Sequence, residues 1–513
     1  MRFASMARRL DRGGTLQAAQ KGTVGAASGT SMAAGEVRVP VLERVRLRPK
    51  VAVHIESRPG PSRQSVAGRA WSLSERKVLL MVGDLLIVTG SNLAPQVIEG
   101  MLAGLAHMMV VWTLSLASVW VVVAQALGCY DLAVAARPGK ALRRVSAAAG
   151  LTLAIYWLVP YWFSPLPPAR SLVVIQVVTL FGLLAALRLA YTLLLVRPRF
   201  RMRTLLVGRD ATAAAVRVLL DGQAGSECEL VAQIDTDEVA ALCPTVSGFV
   251  DFVRSNRIHE VIVSPATGLT TELQIALAEL AEEGVTISTS SEVYEYLCGR
   301  VPVPVADPLW VATLPPSPNV YTVLRRFADV LVGAAGLLLF LPVLLCVSAA
   351  ISLESPGWPL YRQERVGRHG RPFRIVKLRS MVQDAEPDGH AVWARPGDSR
   401  TTRVGSLLRR TRLDEVPQLW NVLLGEMSLI GPRPERPEFV EMLTSAVPMY
   451  RARHMVAPGI TGWAQVSYRY GSSLEDSVRK LEYDLYYVRH RSLLLDAVIV
   501  LQTVGVVLLR RGS

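Results

Sequence analysis

The stretch Thr411-Arg412-Leu413-Asp414-Glu415-Val416-Pro417-Gln418-Leu419-Trp420-Asn421 sets two adjacent carboxylates between a run of arginines and a helix-breaking proline. Arg403, Arg409, Arg410 and Arg412 precede Asp414 within about three helical turns, and Arg433 follows in Gly431-Pro432-Arg433-Pro434. A carboxylate can attack phosphorus or hold a divalent cation, and a guanidinium fork fits phosphate oxygens. The segment therefore suits chemistry on a phosphorylated substrate. A surface ion-pair network would use the same residue types, and this segment alone leaves both readings open.

The rest of the chain must place that cluster. It has 513 residues, 51% of them hydrophobic and 19% charged, with a mean hydropathy of +0.31. That is too apolar for an ordinary soluble enzyme and points to an integral membrane protein. The net charge is +14. The arginines flank apolar runs, as expected at the cytoplasmic face of an anionic membrane. No zinc-finger spacing or aromatic-rich basic groove supports a nucleic-acid partner, so none is expected. Cys129, Cys228, Cys243, Cys298 and Cys346 include no CxxC pair, which argues against disulfides and metal clusters.

Residues 1–75 are rich in Arg, Ala, Gly and Ser without apolar periodicity and read as a disordered basic tail. Four apolar runs follow, at 77–97, 101–127, 145–164 and 171–196, each about the length of a spanning helix. Asp84 interrupts the first. Basic residues before the first run, between the second and third (Arg137, Lys140, Arg143, Arg144) and after the fourth put both ends inside. The reading is a four-helix transmembrane region over 76–197. Residues 201–300 alternate short β-rich runs (204–208, 260–264, 284–288) with helical patterns (213–220, 273–283), which predicts a Rossmann-like α/β domain with a parallel sheet. Its turn after the first strand has a single glycine, Gly208, so dinucleotide binding has little support. Residues 301–318 are proline-punctuated and read as a linker.

A fifth apolar run, 330–353, contains Pro342, and Arg325–Arg326 and Arg362–Arg368 flank it. A crossing helix would put one basic group outside and carry the Asp414–Glu415 segment with it. A helix broken at Pro342 that enters and returns keeps both inside. The last apolar run, Leu493 to Leu509, contains Asp496. Its burial in lipid would be expensive, so this run is expected at the interface or packed on the domain, capped by Arg510 and Arg511.

From Arg325 onward the chain resembles the bacterial sugar transferase family, the monotopic polyprenyl-phosphate phosphoglycosyl transferases. Ordered blocks carry the resemblance: Arg325-Arg326-Phe327-Ala328-Asp329, Ser355-Pro356-Gly357-Trp358-Pro359, Tyr361-Arg362-Gln363-Glu364-Arg365-Val366-Gly367 and Pro372 to Met381. They continue with the Asp414–Glu415 block, Gly425 to Pro434 and Pro458 to Val466. The four spans plus the α/β domain resemble the family's long form, which initiates exopolysaccharide or O-antigen synthesis.

The resemblance implies transfer of a sugar-1-phosphate from a UDP-sugar to polyprenyl (undecaprenyl) phosphate with release of UMP. Asp414 would be the nucleophile, forming an aspartyl phosphosugar, and Glu415 its partner acid; together they would hold Mg²⁺. Arg409 and Arg433 match phosphate-contacting positions, and Lys377 and Arg379 fall in the Lys-x-Arg-Ser-Met block as further phosphate ligands. Pro342 matches the helix-breaking position of a re-entrant helix over 326–353, in a mixed, mainly α catalytic domain over 319–513. The setting implied is the bacterial inner membrane, multi-pass, with the catalytic domain cytoplasmic and membrane lipid as a partner. Pro458, Gly459 and Gly462 are expected to shape a turn, and Trp463 to stack or to anchor at the interface. Arg412 stands where many members have Ser; its charge is expected to lower the Asp414 pKa. Tyr468 to Gly471 is where sugar choice could be set. The alternatives are a UDP-releasing glycosyl transferase, whose only DxD here is Asp235-Thr236-Asp237, and a non-catalytic membrane scaffold or sensor. The sugar, the polysaccharide, the role of the α/β domain and the oligomeric state, a homodimer included, are left open.

Overall fold

A computed structural model describes residues 73–98, 106–158, 170–196, 201–222, 228–235, 238–239, 241, 245–264, 268–303, 314, 319–382, 400–468 and 473–508. The tail before residue 73, most of the 301–318 linker, Thr236 and Asp237, residues 469–471 and Arg510–Arg511 lie outside them, with the expectations placed there.

Four long helices come first: α1 (Leu73–Ile98), α2 (Ala106–Ala126), α3 (Pro138–Leu158) and α4 (Arg170–Leu194). Neighbouring pairs α1–α4, α1–α2, α2–α3 and α3–α4 pack together around Leu80, Trp120, Val145, Ala148 and Leu184. Their outer faces expose Leu86, Val111, Leu114, Val174 and Val178, while Asp84 and Arg188 are buried inside. Charges inside and apolar side chains outside are the distribution a bilayer favours. Two helical segments, Val173–Leu194 and Val320–Glu354, are long and apolar enough to cross a membrane. The third helix starts earlier than the sequence suggested. Pro138 opens it, and Lys140, Arg143 and Arg144 occupy its first two turns instead of a loop. Arg144 Nη1 donates to Gly128 O at 2.8 Å and so ties α3 back to the chain after α2.

Next is a four-stranded parallel sheet of β1 (Met202–Val207), β2 (Cys228–Ile234), β3 (Glu260–Val263) and β4 (Thr286–Thr289), ordered β2-β1-β3-β4. Helices α5 (Ala211–Gly222), α6 (Val246–Ser255) and α7 (Thr271–Glu282) connect successive strands, and α8 (Ser290–Cys298) follows β4. Leu205, Leu206, Val261 and Ile262 are fully buried at its centre, as expected of parallel strands covered on both faces. The sequence reading found β1, β3 and β4 but not β2, α6 or α8. At the end of β1, Asp210 accepts from Thr212 N and Ala213 N. The protein's own carboxylate thus fills the helix N-terminus that a phosphate would occupy.

The C-terminal region begins with α9 (Asn319–Glu354), a helix continuous across Pro342 and longer than the predicted 326–353. Its two ends touch the same region of the chain. Near the start, Arg326 caps α11 (Gln418–Leu424) by donating to Val422 O and Leu423 O at 2.6 and 2.7 Å. Asp329 Oδ1 accepts from Leu429 N at 2.9 Å. At the end, Ile351 packs on Leu378 and Leu408, and Glu354 accepts from the Arg403 and Val404 amides that open α10 (Arg403–Thr411). Between these anchors, Leu338 and Leu339 are 75% and 74% exposed.

The antiparallel hairpin β5 (Leu360–Val366) and β6 (Pro372–Leu378) comes next. Asn421 pins α11 to β6, accepting from Val376 N at 3.0 Å and donating to Arg374 O at 2.8 Å. The short parallel pair β7 (Ser428–Ile430) and β8 (Gly459–Thr461) flanks α12 (Pro437–Ala446). The helices α13 (Trp463–Ser467), α14 (Leu474–His490) and α15 (Leu493–Leu508) close the order. A capping box between Ser473 and Asp476 starts α14. Asp496 on α15 accepts from Tyr321 Oη and Tyr487 Oη, both at 2.8 Å. It packs on the domain, one of the two placements expected for it. The same helix reaches α2 through Gln502 Nε2, which donates to Ala126 O at 3.2 Å.

Candidate active site

The chain leaves α10 at Arg412, whose φ of 59° lies in the left-handed region. This non-glycine conformation costs roughly 1–2 kcal/mol. It turns the chain at once into a 3₁₀ turn, Leu413–Glu415, and drops both carboxylates into the interior. Asp414 and Glu415 are each only 8% exposed.

Three cations converge on one oxygen. Glu415 Oε1 accepts from Arg433 Nη2 at 2.7 Å and lies 3.4 Å from Lys377 Nζ and 3.7 Å from Arg412 Nη1. Burial pushes the Glu415 carboxyl up, but Arg433, Lys377, the Arg433 hydrogen bond and Arg412 together hold it well below the usual carboxylate range. Asp414 moves the other way. Burial and then the Glu415 charge raise it, against the opposing pull of Lys377, Arg412 and Arg433. The expected lowering by Arg412 is present but outweighed. Burial also lowers the Lys377 pKa, with Glu415 opposing. Asp414 Oδ1 is buried without a hydrogen-bond partner. One carboxylate is thus saturated with cations while its neighbour keeps an uncommitted oxygen.

The other two expected phosphate ligands, Arg379 and Arg409, bond protein oxygens in the structure. Arg379 donates to Pro356 O at 2.8 Å and Ser355 O at 2.6 Å, so it ties the chain after α9 to the end of β6. Arg409 donates to Ser380 Oγ at 2.9 Å and Thr401 Oγ1 at 3.3 Å, bracing the approach to α10. Both guanidinium groups bond protein oxygens here, and neither is among the side chains paired with Glu415. Lys377 and Arg433 are there, and Arg412 joins them.

Arg433 is delivered by a tight crossing of β7 and β8. A Cβ on Gly459 would lie 2.0 Å from Gly431 N, and one on Gly462 would lie 2.1 Å from Gly431 O. Only glycine allows this approach, and it fixes where the Arg433 loop leaves β7. The turn-shaping role expected of Gly459 and Gly462 fits this geometry. Trp463 lies against Tyr486, with ring centroids 6.1 Å apart. Its Nε1 donates to Gly299 O at 2.8 Å, docking the region on the α/β unit. Arg489 and His490 meet Glu295 of α8 nearby, both at 2.9 Å.

Sequence reasoning missed Arg453 and Asp484, which are 5% and 2% exposed. Arg453 Nη2 donates to Asp484 Oδ2 at 2.7 Å and to Arg433 O at 3.0 Å. The signal was faint, since both charges sit in a polar-looking helical stretch.

Among the described residues, no group of three or more His, Cys, Asp or Glu is arranged to hold a metal. Two carboxylates with one uncommitted oxygen do fit Mg²⁺, which takes one or two carboxylates and completes its shell with substrate phosphates and water.

The bacterial sugar transferase family profile matches residues 320–510. The chain is 42% identical over 237 residues to an Aeromonas hydrophila UDP-N-acetylgalactosamine-undecaprenyl-phosphate N-acetylgalactosaminephosphotransferase, covering 46% of this chain and 56% of that protein. It is 35% identical over 259 residues to the UDP-glucose:undecaprenyl-phosphate glucose-1-phosphate transferase of Escherichia coli K12, covering 50% and 56%. A protein of the latter name from Caulobacter vibrioides is 45% identical over 193 residues, covering 37% of this chain and 72% of its own length. The chain spans a little over half the length of the first two relatives. The match over most of the Caulobacter protein, and the profile across the whole stretch from α9 to α15, place the chain in the bacterial sugar transferase family.

Proposed function

We propose that this chain transfers a sugar-1-phosphate from a UDP-sugar to polyprenyl (undecaprenyl) phosphate, releasing UMP, as the initiating step of exopolysaccharide or O-antigen synthesis. The observation that carries the reading is the pair itself: Glu415 held by Arg433, Lys377 and Arg412, beside Asp414 with Oδ1 uncommitted. A carboxylate oxygen of Asp414 attacks the phosphorus that bears the sugar. The bond from that phosphorus to the UMP oxygen breaks, and its electron pair leaves on UMP. An oxygen of polyprenyl phosphate then attacks the same phosphorus, and the bond to Asp414 breaks, restoring the carboxylate. Neither half requires a proton. Glu415 stays ionised and keeps Arg433 and Lys377 beside the phosphate, where they offset the repulsion between carboxylate and diphosphate. Asp414 and Glu415 would hold a Mg²⁺ ion, which supplies charge neutralisation to the diphosphate when bound.

The proposed setting is the cytoplasmic face of the bacterial inner membrane, with α1–α4 as four spans and the α/β unit, read as Rossmann-like, inside. α9 runs on through Pro342 instead of breaking there, because a proline inside a helix bends it without having to end it. The two anchored ends and the bare middle around Leu338–Leu339 support a bent helix that enters one leaflet and leaves on the same side. The relatives act on different sugars by name, so the sugar is left to experiment. Purified full-length protein should release UMP from one member of a UDP-sugar panel when given undecaprenyl phosphate. Release of UDP would instead mark a glycosyl transferase. Asp414→Ala should form no covalent sugar-phosphate adduct, and an adduct retained there would sink the nucleophile assignment. Turnover undiminished in EDTA would remove the metal.

A further inference from the structure

The loop that carries Arg433 is held carbonyl by carbonyl. Pro432 O accepts from Gly459 N at 2.9 Å, Arg433 O from Arg453 Nη2 at 3.0 Å, Pro434 O from Arg365 Nη1 at 3.2 Å and Glu435 O from Val366 N at 2.9 Å. Three of these donors come from a strand or its edge. Arg453 comes from the 3₁₀ segment Pro448–Met455 and brings a buried charge with it.

That charge is organised in one plane. Arg453 Nε and Nη2 donate to Asp484 Oδ2 at 3.1 and 2.7 Å, and Nη1 donates to Tyr450 Oη at 2.6 Å. Leu443, Tyr450, Leu481 and Leu485 pack around it, with the Glu435 charge close enough to act on Tyr450, Arg453 and Asp484. A well-packed apolar pair would fill such a position at least as stably. What an apolar pair could not do is reach the Arg433 carbonyl. A guanidinium can serve Asp484, Tyr450 and that carbonyl at once because its donors form a rigid fork.

We propose that Arg453, oriented by Asp484 and Tyr450, is a positioning residue that fixes the angle at which Arg433 presents its guanidinium to Glu415 and to the substrate phosphate. The role rests on the functional reading above, since it acts through Arg433. Misplacing a charged group by a fraction of its length is enough to lower a rate on the order of 10- to 100-fold.

The test is a double-mutant cycle on the full-length protein, with nucleotide release as the readout and thermal unfolding alongside. Arg453→Lys keeps a cation opposite Asp484 but cannot span all three acceptors. It should lower kcat on the order of 10- to 100-fold in the wild-type background. In the Arg433→Ala background it should change the residual rate by less than about 2-fold, because the group it positions is gone. A purely structural role would instead multiply the two losses, and that result, or an unchanged rate in Arg453→Lys alone, overturns the proposal. If Arg453→Lys does not fold, Tyr450→Phe removes only the orienting hydroxyl and must show the same non-additivity at smaller size; multiplicative losses there overturn it too. The identity of the released nucleotide is read separately. UDP in place of UMP would defeat the proposed reaction, while the cycle on that same turnover would still report whether Arg453 acts through Arg433.

Discussion

Two regions of this chain bury charge, and they balance it differently. In the helical bundle, Asp84 and Arg188 meet at 2.6 Å with side chains 0% and 1% exposed, one charge against one. In the C-terminal site, Lys377, Arg412 and Arg433 face Asp414 and Glu415, three cations against two carboxylates. Both regions leave polar atoms without hydrogen-bond partners, Asp84 Oδ1 and Arg188 Nη1 in one and Asp414 Oδ1 in the other. The difference lies in the sum of charge. A one-to-one pair has no surplus and serves to hold α1 against α4. Among the described residues, Glu415 is met by three cations and Asp414 keeps an oxygen without a hydrogen-bond partner, which on the proposed reading receives an incoming anion.

The largest expected effects separate the two directly. Asp414→Asn should lower UMP release by on the order of 1,000-fold or more, yet leave the melting temperature in detergent unchanged or raised, because a repelled, buried carboxylate is gone. Asp84→Ala should do the reverse. It strands Arg188 as an uncompensated buried charge and should cost about 3–5 kcal/mol of stability, while protein that remains folded turns over within a few-fold of wild type. A stable but inactive Asp84→Ala protein would break the comparison, for it would put chemistry in the balanced pair.

The next effect separates arginines that the sequence could not tell apart. Arg433→Ala removes the 2.7 Å contact to Glu415 and should lower the rate on the order of 100-fold. Arg379→Ala removes two bonds to the carbonyls of Ser355 and Pro356. It should cost about 1–3 kcal/mol of stability with only a few-fold change in rate. A loss of rate in Arg379→Ala equal to that in Arg433→Ala, at unchanged melting temperature, would return Arg379 to the site.

That distinction shows where the sequence stops being legible. Residue type and spacing singled out the Asp414–Glu415 pair and Arg433 but left a plain ion-pair network open, and Lys377 entered only through the ordered blocks that carry the resemblance. The long helices were visible as apolar runs, and β1 and β3 as buried β-rich runs. The sequence could not show that Arg379 reaches backbone carbonyls and Arg409 the Ser380 and Thr401 hydroxyls, because a guanidinium bonds these oxygens and a phosphate equally well. The strand β2 was missed because Cys228–Ile234 mixes Glu229 and Gln233 into its run, as suits a flanking strand with half-exposed positions. The start of α3 was misplaced because Lys140, Arg143 and Arg144 looked like a loop, whereas Pro138 at its first turn marked a helix. Arg453 and Asp484 were missed, since 31 residues of sequence separate two partners that share two hydrogen bonds.

The smallest effect asks how strictly a balanced pair excludes further charge. His454 follows Arg453 and sits edge-on to Tyr450 at 6.3 Å. Burial, and then Arg453 and Arg451, push its pKa down to about 3. Its unfolded pKa is about 6.5, so the folded state holds the proton less tightly than the unfolded chain. The stability this provides is fully present above about pH 6.5 and is lost as the pH falls from there towards about 3. The loss can be no steeper than one proton's worth, about 1.4 kcal/mol per pH unit. His454→Gln cannot titrate, so its melting temperature should fall less than that of wild type over that window, and the two curves should run parallel above it. Parallel curves throughout would mean that the imidazole takes up its proton beside Arg453 without penalty. The Arg453–Asp484 pair would then tolerate a second cation as readily as the Asp414–Glu415 site holds its third, and the contrast between balanced and surplus charge would not separate structure from function.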